Sequence, residues 1–356
     1  MSKFLSQKYF TLEEYVPGEQ PRDKKYIKLN TNESPYPPSP GVIEAINSDA
    51  VRDLRLYSDP ESRLLKTTIA ENYGVSFENV YVANGSDDIL NFAFMAYGDK
   101  GVVYPAISYG FYSVFAKLNG ITPEEIPLEK DFSIDIRKYF NKNKLICIAN
   151  PNAPTGITLS LQEIRQILDT NPDNIVLIDE AYVDFGGESA LPLIQEYNNL
   201  LVVQTFSKSR SMAGARLGFA FGNKEIIADL EKLKYSTNPY NINRLTQIAG
   251  VKAIEENSYY MDNCKEIIET REFTVSALKE MGFYVTNSKA NFIFAKSDKI
   301  SGESLYIKLK EKGILVRHFS KKEITDFNRI TIGSKEEMES LVKAIGDILK
   351  QGEKSK

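Results

Sequence analysis

Three apolar runs in this chain end in polar residues of three different kinds. LICIAN leads to Pro151 and Asn152, IVLID ends on Asp179, and LLVVQTFS leads to Lys208. A lysine set against apolar sequence loses solvation, which favours the neutral amine that Schiff-base formation needs, and Lys208 suits that chemistry. A carboxylate at the end of an apolar run is costly unless a buried cation pairs with it. The protonated pyridine nitrogen of pyridoxal phosphate is such a cation, and Asp179 would hold that ring as an electron sink. Tyr182, in DEAY, and Asn152, in NPNAPTG, are candidate donors to the ring's phenolic oxygen. Tyr109, in PAISYGFY, is placed to stack on the ring face. The phosphate needs its own cradle. The turn Asn84-Gly85-Ser86-Asp87-Asp88 follows VYVA and opens a helical run, so its N–H groups can meet an anion at a helix N-terminus. Arg216 comes shortly after Lys208, which Thr205 and Ser207 precede, and a guanidinium with hydroxyl donors is the expected clamp for a dianion.

These residues need a scaffold that brings strand ends together. From about residue 42, the runs VYVANG, GVVYP, LICIANP, IVLIDEAY and LLVVQTFSK alternate with helix-length segments, which predicts βαβ units and a mostly parallel sheet. In such open α/β sheets ligands sit beyond the carboxyl ends of the strands, so Asn152, Asp179 and Lys208 are expected to face one crevice. SLQEIRQIL has helical spacing, with Ser160 as a candidate cap and Gln162 and Glu163 in the first turn. Residues 1–40, including YVPGEQPRD and LNTNESPYPPSP, read as an extended arm lying over a surface. Residues 41–250 then form a large cofactor-binding domain. Beyond it, helical segments at 258–281 and 302–312 alternate with FYVTNS, NFIFAK and ILVRHF, which predicts a smaller α/β domain over 251–356 with a frayed tail, QGEKSK.

Composition narrows the function classes. A chain of 356 residues with 42% apolar content is long enough for two domains and a core around a cofactor. Its 48 acidic and 44 basic residues are interspersed, so there is no basic stripe for nucleic acid and no polybasic membrane anchor, and small polar substrates are the expected partners. Cys147 and Cys264 have neither disulfide nor zinc spacing, and a reducing cytoplasm is expected. The start lacks a secretory pattern, and no apolar run approaches the roughly 18 residues of a membrane span. The single histidine, His318, leaves little room for a serine triad, a Cys-His pair or a multi-histidine metal site, so no metal is expected. A nucleotide-binding protein is the alternative class, yet neither GxGxxG nor GxxxxGK[ST] follows the relevant strands.

The string TFSKSRSMAGARLGF, with IDEAYVDF and NPNAPTG before it, resembles the signature series of fold-type-I pyridoxal-phosphate aminotransferases. LNTNESPYPPSP, LYSDPES, NGSDD, NPYNIN, SKANFIF and RITIG resemble the histidinol-phosphate aminotransferase branch, so the likeness spans essentially the whole chain. It implies a large domain with a mostly parallel central sheet flanked by helices, plus a smaller C-terminal α/β domain. By the same resemblance, Tyr57, in LYSDP, reaches the cofactor phosphate of a partner subunit, making the active unit a homodimer. Arg329, in NRITIG, would hold an anionic group of the substrate, with Arg317, in LVRHF, at the substrate phosphate. Tyr15, in EEYVPGEQP, would close over the substrate. The implied reaction is a ping-pong transamination of histidine biosynthesis, in which glutamate and imidazole-acetol phosphate give 2-oxoglutarate and the phosphorylated amino alcohol histidinol phosphate. Relatives with similar motifs transaminate aromatic amino acids, and another decarboxylates threonine phosphate. This sequence departs from the pattern in ending its phosphate turn on Asp88, where glutamate is common, and in a shortened segment before Arg329.

Overall fold

A computed structural model describes residues 5, 6, 9, 12 and 15–354; the beginning of the expected arm and the last two residues of the tail lie outside the described residues. A two-residue strand, β1 (Ile27–Lys28), comes first. The central sheet comes next, with β2 (Val80–Ala83), β3 (Val102–Pro105), β4 (Pro123–Ile126), β5 (Leu145–Ala149), β6 (Val176–Asp179), β7 (Leu200–Thr205) and β8 (Gly218–Gly222) in the order β2-β8-β7-β6-β5-β3-β4. Only β8 runs against its neighbours, and every other pairing is parallel. The strands read as continuous apolar runs because both faces are covered. Period-two alternation then divides their side chains between two cores. Val80, Ile146, Ile178 and Val202 face one way, towards α1 (Pro40–Ala45), α3 (Arg63–Tyr73), α6 (Leu161–Asp169) and α8 (Arg244–Glu255). Tyr81, Cys147, Leu177 and Val203 face the other, towards α4 (Ser86–Tyr97), α5 (Phe111–Asn119) and α7 (Lys224–Thr237). The short α2 (Ser48–Arg52) buries none of its residues.

Local signals explain several of these boundaries. Ser160 accepts from Glu163 N–H while the Glu163 carboxylate accepts from Ser160 N–H, a reciprocal cap that starts α6 where the spacing predicts it. At the sheet edge, β4 carries Glu124, which is paired with Lys142 and Lys144, and charge at this position opposes further strand addition.

The long helix α9 (Asn257–Glu280) leads to a second sheet made of β9 (Phe283–Val285), β10 (Phe292–Ser297) and, after α10 (Gly302–Glu311), the segment 314–318 and its partner. That segment splits in two. The first part, β11 (Ile314–Leu315), pairs in parallel with β1, while β12 (Arg317–His318) turns to pair antiparallel with β13 (Asn328–Thr331). The sheet order is β12-β13-β10-β9, backed by α9, α10 and α11 (Lys335–Lys354) around a core of its own. The tail that the sequence suggests is frayed continues α11 as far as Lys354.

The arm departs from its expected place on a surface. From Ile27 onward it is threaded into the second sheet's core: Leu29 is buried there, its N–H donates to Leu315 O and its carbonyl accepts from Thr331 N–H. Strand pairing satisfies the backbone and Leu29 supplies the apolar contact, which together stabilise an interior path for a segment rich in proline and asparagine.

Candidate active site

The carboxyl ends of β6 and β7 and the turn after β2 surround a cavity of about 170 Å³, lined by Ser86, Asp87, Tyr109, Asp179, Tyr182 and Lys208, with Thr205, Ser207 and Arg216 on its wall. Next to it, and sharing Tyr109, Tyr182 and Lys208, lies a larger cavity of about 480 Å³ that Tyr15, Arg317 and Arg329 line. The sheet therefore brings together a lysine, a carboxylate and a guanidinium from segments distant in sequence.

Asp179 is 4% exposed. Burial pushes its carboxyl up to about 6, even though the Tyr112 hydroxyl donates to Oδ2 at 2.7 Å and Ala181 N–H donates to Oδ1 at 3.2 Å. Among the described residues no cation forms an ion pair with it. A buried carboxylate held by two neutral donors and neutralised by none is a fitting partner for a pyridinium N–H. Lys208 is partly buried, its Nζ donating to Thr31 O at 3.3 Å and lying 5.8 Å from the centre of the Tyr182 ring. The Tyr182 hydroxyl accepts from Asn32 Nδ2 at 2.9 Å.

The turn after β2, the candidate phosphate cradle, is built by close approach of backbone. Gly85 has φ +84°, and a Cβ there would lie 2.7 Å from Arg216 Nη2. On β8, a Cβ at Gly218 would collide with the Ser86 backbone N–H, so glycine lets the strand carrying Arg216 towards the turn press against the first N–H of α4. Arg216 itself adopts a left-handed conformation, φ 57°, and donates from Nη2 to Asp87 Oδ2 at 3.0 Å. The Tyr109 hydroxyl donates to the other Asp87 oxygen at 2.9 Å. Ring face, guanidinium and helix N-terminus are thus tied together at one carboxylate, and the residues fit a phosphate-bearing aromatic cofactor.

At the far end, Arg317 and Arg329 are register partners across β12 and β13. Like charges directly opposite on a sheet repel. Among the described residues neither arginine has an ion-pair partner; Arg329 Nη2 donates to Asn30 O at 3.0 Å, and Arg317 donates to Val16 O and Pro17 O at 3.1 and 3.2 Å. Burial lowers the Arg329 pKa, and its Nε is buried without a partner. Two guanidiniums with carbonyl contacts and, among the described residues, no carboxylate partner are chemically suited to bind an anion. Tyr15 stacks on Phe111 at 4.2 Å beside this site, and burial raises its phenol pKa against the opposing pull of both arginines.

Comparison with known proteins agrees with this geometry. Residues 24–345 match the family described as aminotransferase class I and II. The chain belongs to that family. Within it, the chain is 54% identical over 353 residues to a histidinol-phosphate aminotransferase of Brachyspira hyodysenteriae, covering 98% of this chain and 100% of that one. It is 49% identical over 351 residues to the Clostridium acetobutylicum protein of the same name, with 98% and 100% covered. The crystal structure of histidinol-phosphate aminotransferase from Sinorhizobium meliloti in complex with pyridoxal-5′-phosphate superposes with a TM-score of 0.88 at 22% identity, covering 99% of both chains, and shares the fold.

Not every candidate of this aminotransferase reaches the cavities. The Asn152 amide donates to Ile107 O and Thr155 Oγ1, both at 3.0 Å, and accepts from Ser108 Oγ at 2.8 Å, so its hydrogen bonds hold the NPNAPTG turn, and it lines neither cavity. Thr205 Oγ1 accepts from Ser207 N–H at 3.1 Å and shapes the turn that presents Lys208. Tyr57 is 77% exposed, stacks on Tyr240 at 4.5 Å and lines neither cavity of its own chain. His318 bonds Thr325 O and also lies outside them. Among the described residues no group of three or more His, Cys, Asp or Glu could hold a metal ion, and no helix is long and apolar enough to cross a membrane.

The structure adds residues that motifs alone do not single out. Tyr112, fully buried in α5 and three positions after Tyr109, faces Asp179 and not solvent. Tyr109 precedes the first residue of α5, so no helical repeat links the two and the sequence carries no signal for Tyr112. Asn32 and Gly218 have none beyond their place in LNTNESP and ARLGF.

Proposed function

We propose that this aminotransferase uses pyridoxal 5′-phosphate to move an amino group between histidinol phosphate and 2-oxoglutarate, giving imidazole-acetol phosphate and glutamate in histidine biosynthesis. The observation that carries this reading is the cross-strand pair Arg317 and Arg329, without carboxylate partners among the described residues, in a cavity that shares Lys208 with the Asp179 cavity. When bound, the cofactor supplies a carbonyl carbon to the amine and an electron-withdrawing ring to the carbon whose proton must leave. Lys208 anchors it and afterwards carries that proton at Nζ. Asp179 keeps the ring nitrogen protonated, Tyr182 donates at the phenolic oxygen, and Tyr109 stacks on the ring. Gly85, Ser86 and Asp87 at the α4 N-terminus, with Thr205, Ser207 and Arg216, hold the phosphate. Arg317 and Arg329 take the phosphate of one substrate and the distal carboxylate of the other in turn, and Tyr15 excludes water above them. Asn152 sets the loop that walls the site.

Tyr57 belongs, in this reading, to a partner subunit's phosphate site in a homodimer. Its exposure, within a stretch of chain that also exposes Ile43, Ile46, Val51, Leu54 and Leu56, supports that role. A monomer at micromolar concentration in sedimentation would remove it. The arm (1–40), cofactor unit (41–250) and smaller unit (251–356) put Tyr15, Lys208 and the two arginines on three different parts of the chain. Two free, buried cysteines suit a cytoplasmic setting.

Single half-reactions test the assignment. The purified protein is expected to be yellow, and histidinol phosphate is expected to bleach that colour where phenylalanine does not. A colourless protein that cannot be reconstituted with pyridoxal phosphate defeats the cofactor reading; bleaching by phenylalanine alone replaces the substrate. Arg329→Gln is expected to raise KM for histidinol phosphate about 10²-fold, the loss that accompanies removal of one partner from a desolvated charge pair. Its thermal midpoint without substrate should hold or rise, because a like-charge cross-strand pair is relieved. A KM close to that of the parent protein would remove Arg329 from the anion site.

A further inference from the structure

The segment Asn30-Thr31-Asn32 passes beside both cavities, and each of its carbonyls is taken by a different donor. Arg329 Nη2 donates to Asn30 O at 3.0 Å, Lys208 Nζ to Thr31 O at 3.3 Å, and Asn291 Nδ2 to Asn32 O at 3.1 Å. The Asn32 side chain, in a residue 1% exposed, reaches Tyr182, with Nδ2 2.9 Å from the hydroxyl. Asn32 has φ 56°, a left-handed conformation that asparagine adopts more readily than other residues bearing a side chain. That turn brings its backbone N–H to Thr331 Oγ1 at 3.0 Å, while the Thr331 hydroxyl lies 3.0 Å from Asn32 Oδ1.

This small ring decides which end of the amide faces Tyr182. Thr331 Oγ1 accepts the Asn32 N–H and donates its own proton to Oδ1, so the amide nitrogen is left to point at the phenol. A phenol has one proton and two lone pairs. With Nδ2–H on one lone pair, the hydroxyl proton is repelled from Asn32 and turned to the side of the cavity that Tyr182 shares with Lys208. We propose that Asn32 is a positioning residue for Tyr182, holding its hydroxyl as a donor into the cofactor cavity, with its own amide oriented by Thr331. Thr331 lies on β13, the strand that carries Arg329, so the phenol beside Lys208 and the anion site hang on one hydrogen-bonded frame.

This inference rests on the reading of the smaller cavity as the pyridoxal-phosphate site. A hydroxyl aimed at the cofactor's phenolic oxygen stabilises negative charge there, most strongly once the neighbouring nitrogen has lost its proton. It therefore lowers the pH at which the chromophore on Lys208 titrates. The experiment is a spectroscopic pH titration of the holoenzyme, paired with the thermal midpoint of the cofactor-free protein. Asn32→Ala is expected to raise the titration midpoint by about one pH unit, and Asn32→Asp by more, because a carboxylate accepts the Tyr182 proton and draws it out of the cavity. Tyr182→Phe should raise it as well, and adding Asn32→Ala to that variant should bring no further shift. Thr331→Val, which leaves Asn32 in place but frees its amide to turn, should move the midpoint the same way and carries the test if Asn32 variants fail to hold cofactor. A titration midpoint unmoved in Asn32→Ala or Thr331→Val, shifts that add in full in the double variant, or a loss of thermal stability with no spectroscopic change would each overturn the proposal. A protein that stays colourless fails the cofactor reading instead, whereas a yellow protein indifferent to Asn32 fails only this inference.

Discussion

Lys208→Ala is expected to lower turnover on the order of 10⁴-fold or more while leaving the cofactor-free protein as stable as its parent. The two halves of this expectation have different physical sources. Turnover falls because, in the mechanism proposed above, the residue serves twice, as the amine that anchors the cofactor and as the base that carries a proton to and from the substrate carbon. Stability holds because Nζ makes one hydrogen bond, to Thr31 O at 3.3 Å, and has no ion-pair partner among the described residues. The loss of a single long hydrogen bond from a partly buried chain falls at the low end of about 0.5–1.5 kcal/mol. Borohydride reduction of the yellow protein followed by peptide mass analysis should place the added mass on Lys208, and the variant should take up none. Near-normal turnover in Lys208→Ala, or label on another lysine, would mean that the wrong lysine has been assigned.

Asp179→Asn should act on catalysis and stability with opposite signs. In the proposed mechanism, replacing the carboxylate removes the charge that holds the ring nitrogen protonated, and a loss of about 10²–10³-fold in turnover is expected from losing one preorganised electrostatic partner. In the cofactor-free protein the same carboxylate is a burden. Burial pushes its carboxyl from 3.8 to about 6, and a group whose folded pKa is raised contributes stability at low pH that is lost as pH rises through the folded value. Between about pH 4 and pH 7 that loss amounts to about 3 kcal/mol at 1.36 kcal/mol per unit. Asparagine keeps the local hydrogen bonds: its oxygen can accept from Ala181 N–H, and its nitrogen can donate to the Tyr112 hydroxyl, which switches from donor to acceptor. The cofactor-free variant should therefore unfold above the parent at pH 8 and with no such advantage near pH 4. Glu180 next to it is also raised by burial, to about 7, so the parent's own pH profile mixes two groups, and the difference between variant and parent isolates Asp179. A stability difference independent of pH would show that Asp179 is not a strained carboxylate.

Asp179 and Lys208 share one property: each stands at the end of an apolar strand. Asp179 and Lys208 can be read from sequence because a long apolar run fixes a buried parallel strand, and the geometry of an open α/β sheet places the carboxyl ends of such strands at one rim. Asn152 stands in an equivalent place, yet its amide is taken by Thr155 of its own turn and by Ile107 O and Ser108, which come within reach because the ends of β5 and β3 are neighbours. Tyr112 is illegible for the opposite reason. A tyrosine on the buried face of a helix looks like core, and its hydroxyl becomes informative only when the strand ending in Asp179 lies beneath it. The arm reads as exterior chain because proline and asparagine suit exposure; strand pairing with β11 and burial of Leu29 outweigh that preference.

The sequence by itself determined the class of chemistry, because its motifs resemble those of the aminotransferase family to which the chain belongs. It also determined the layered α/β architecture, which arises from strand and helix periodicities that are local properties of the chain. Tertiary structure alone decided how the groups meet. Arg317 and Arg329 oppose one another through strand register, and the threading of the arm sets Asn32 between Tyr182 and Thr331. Those contacts join segments whose relative placement no local pattern can encode, and they appear only when burial and backbone pairing set the places of the arm and the two sheets.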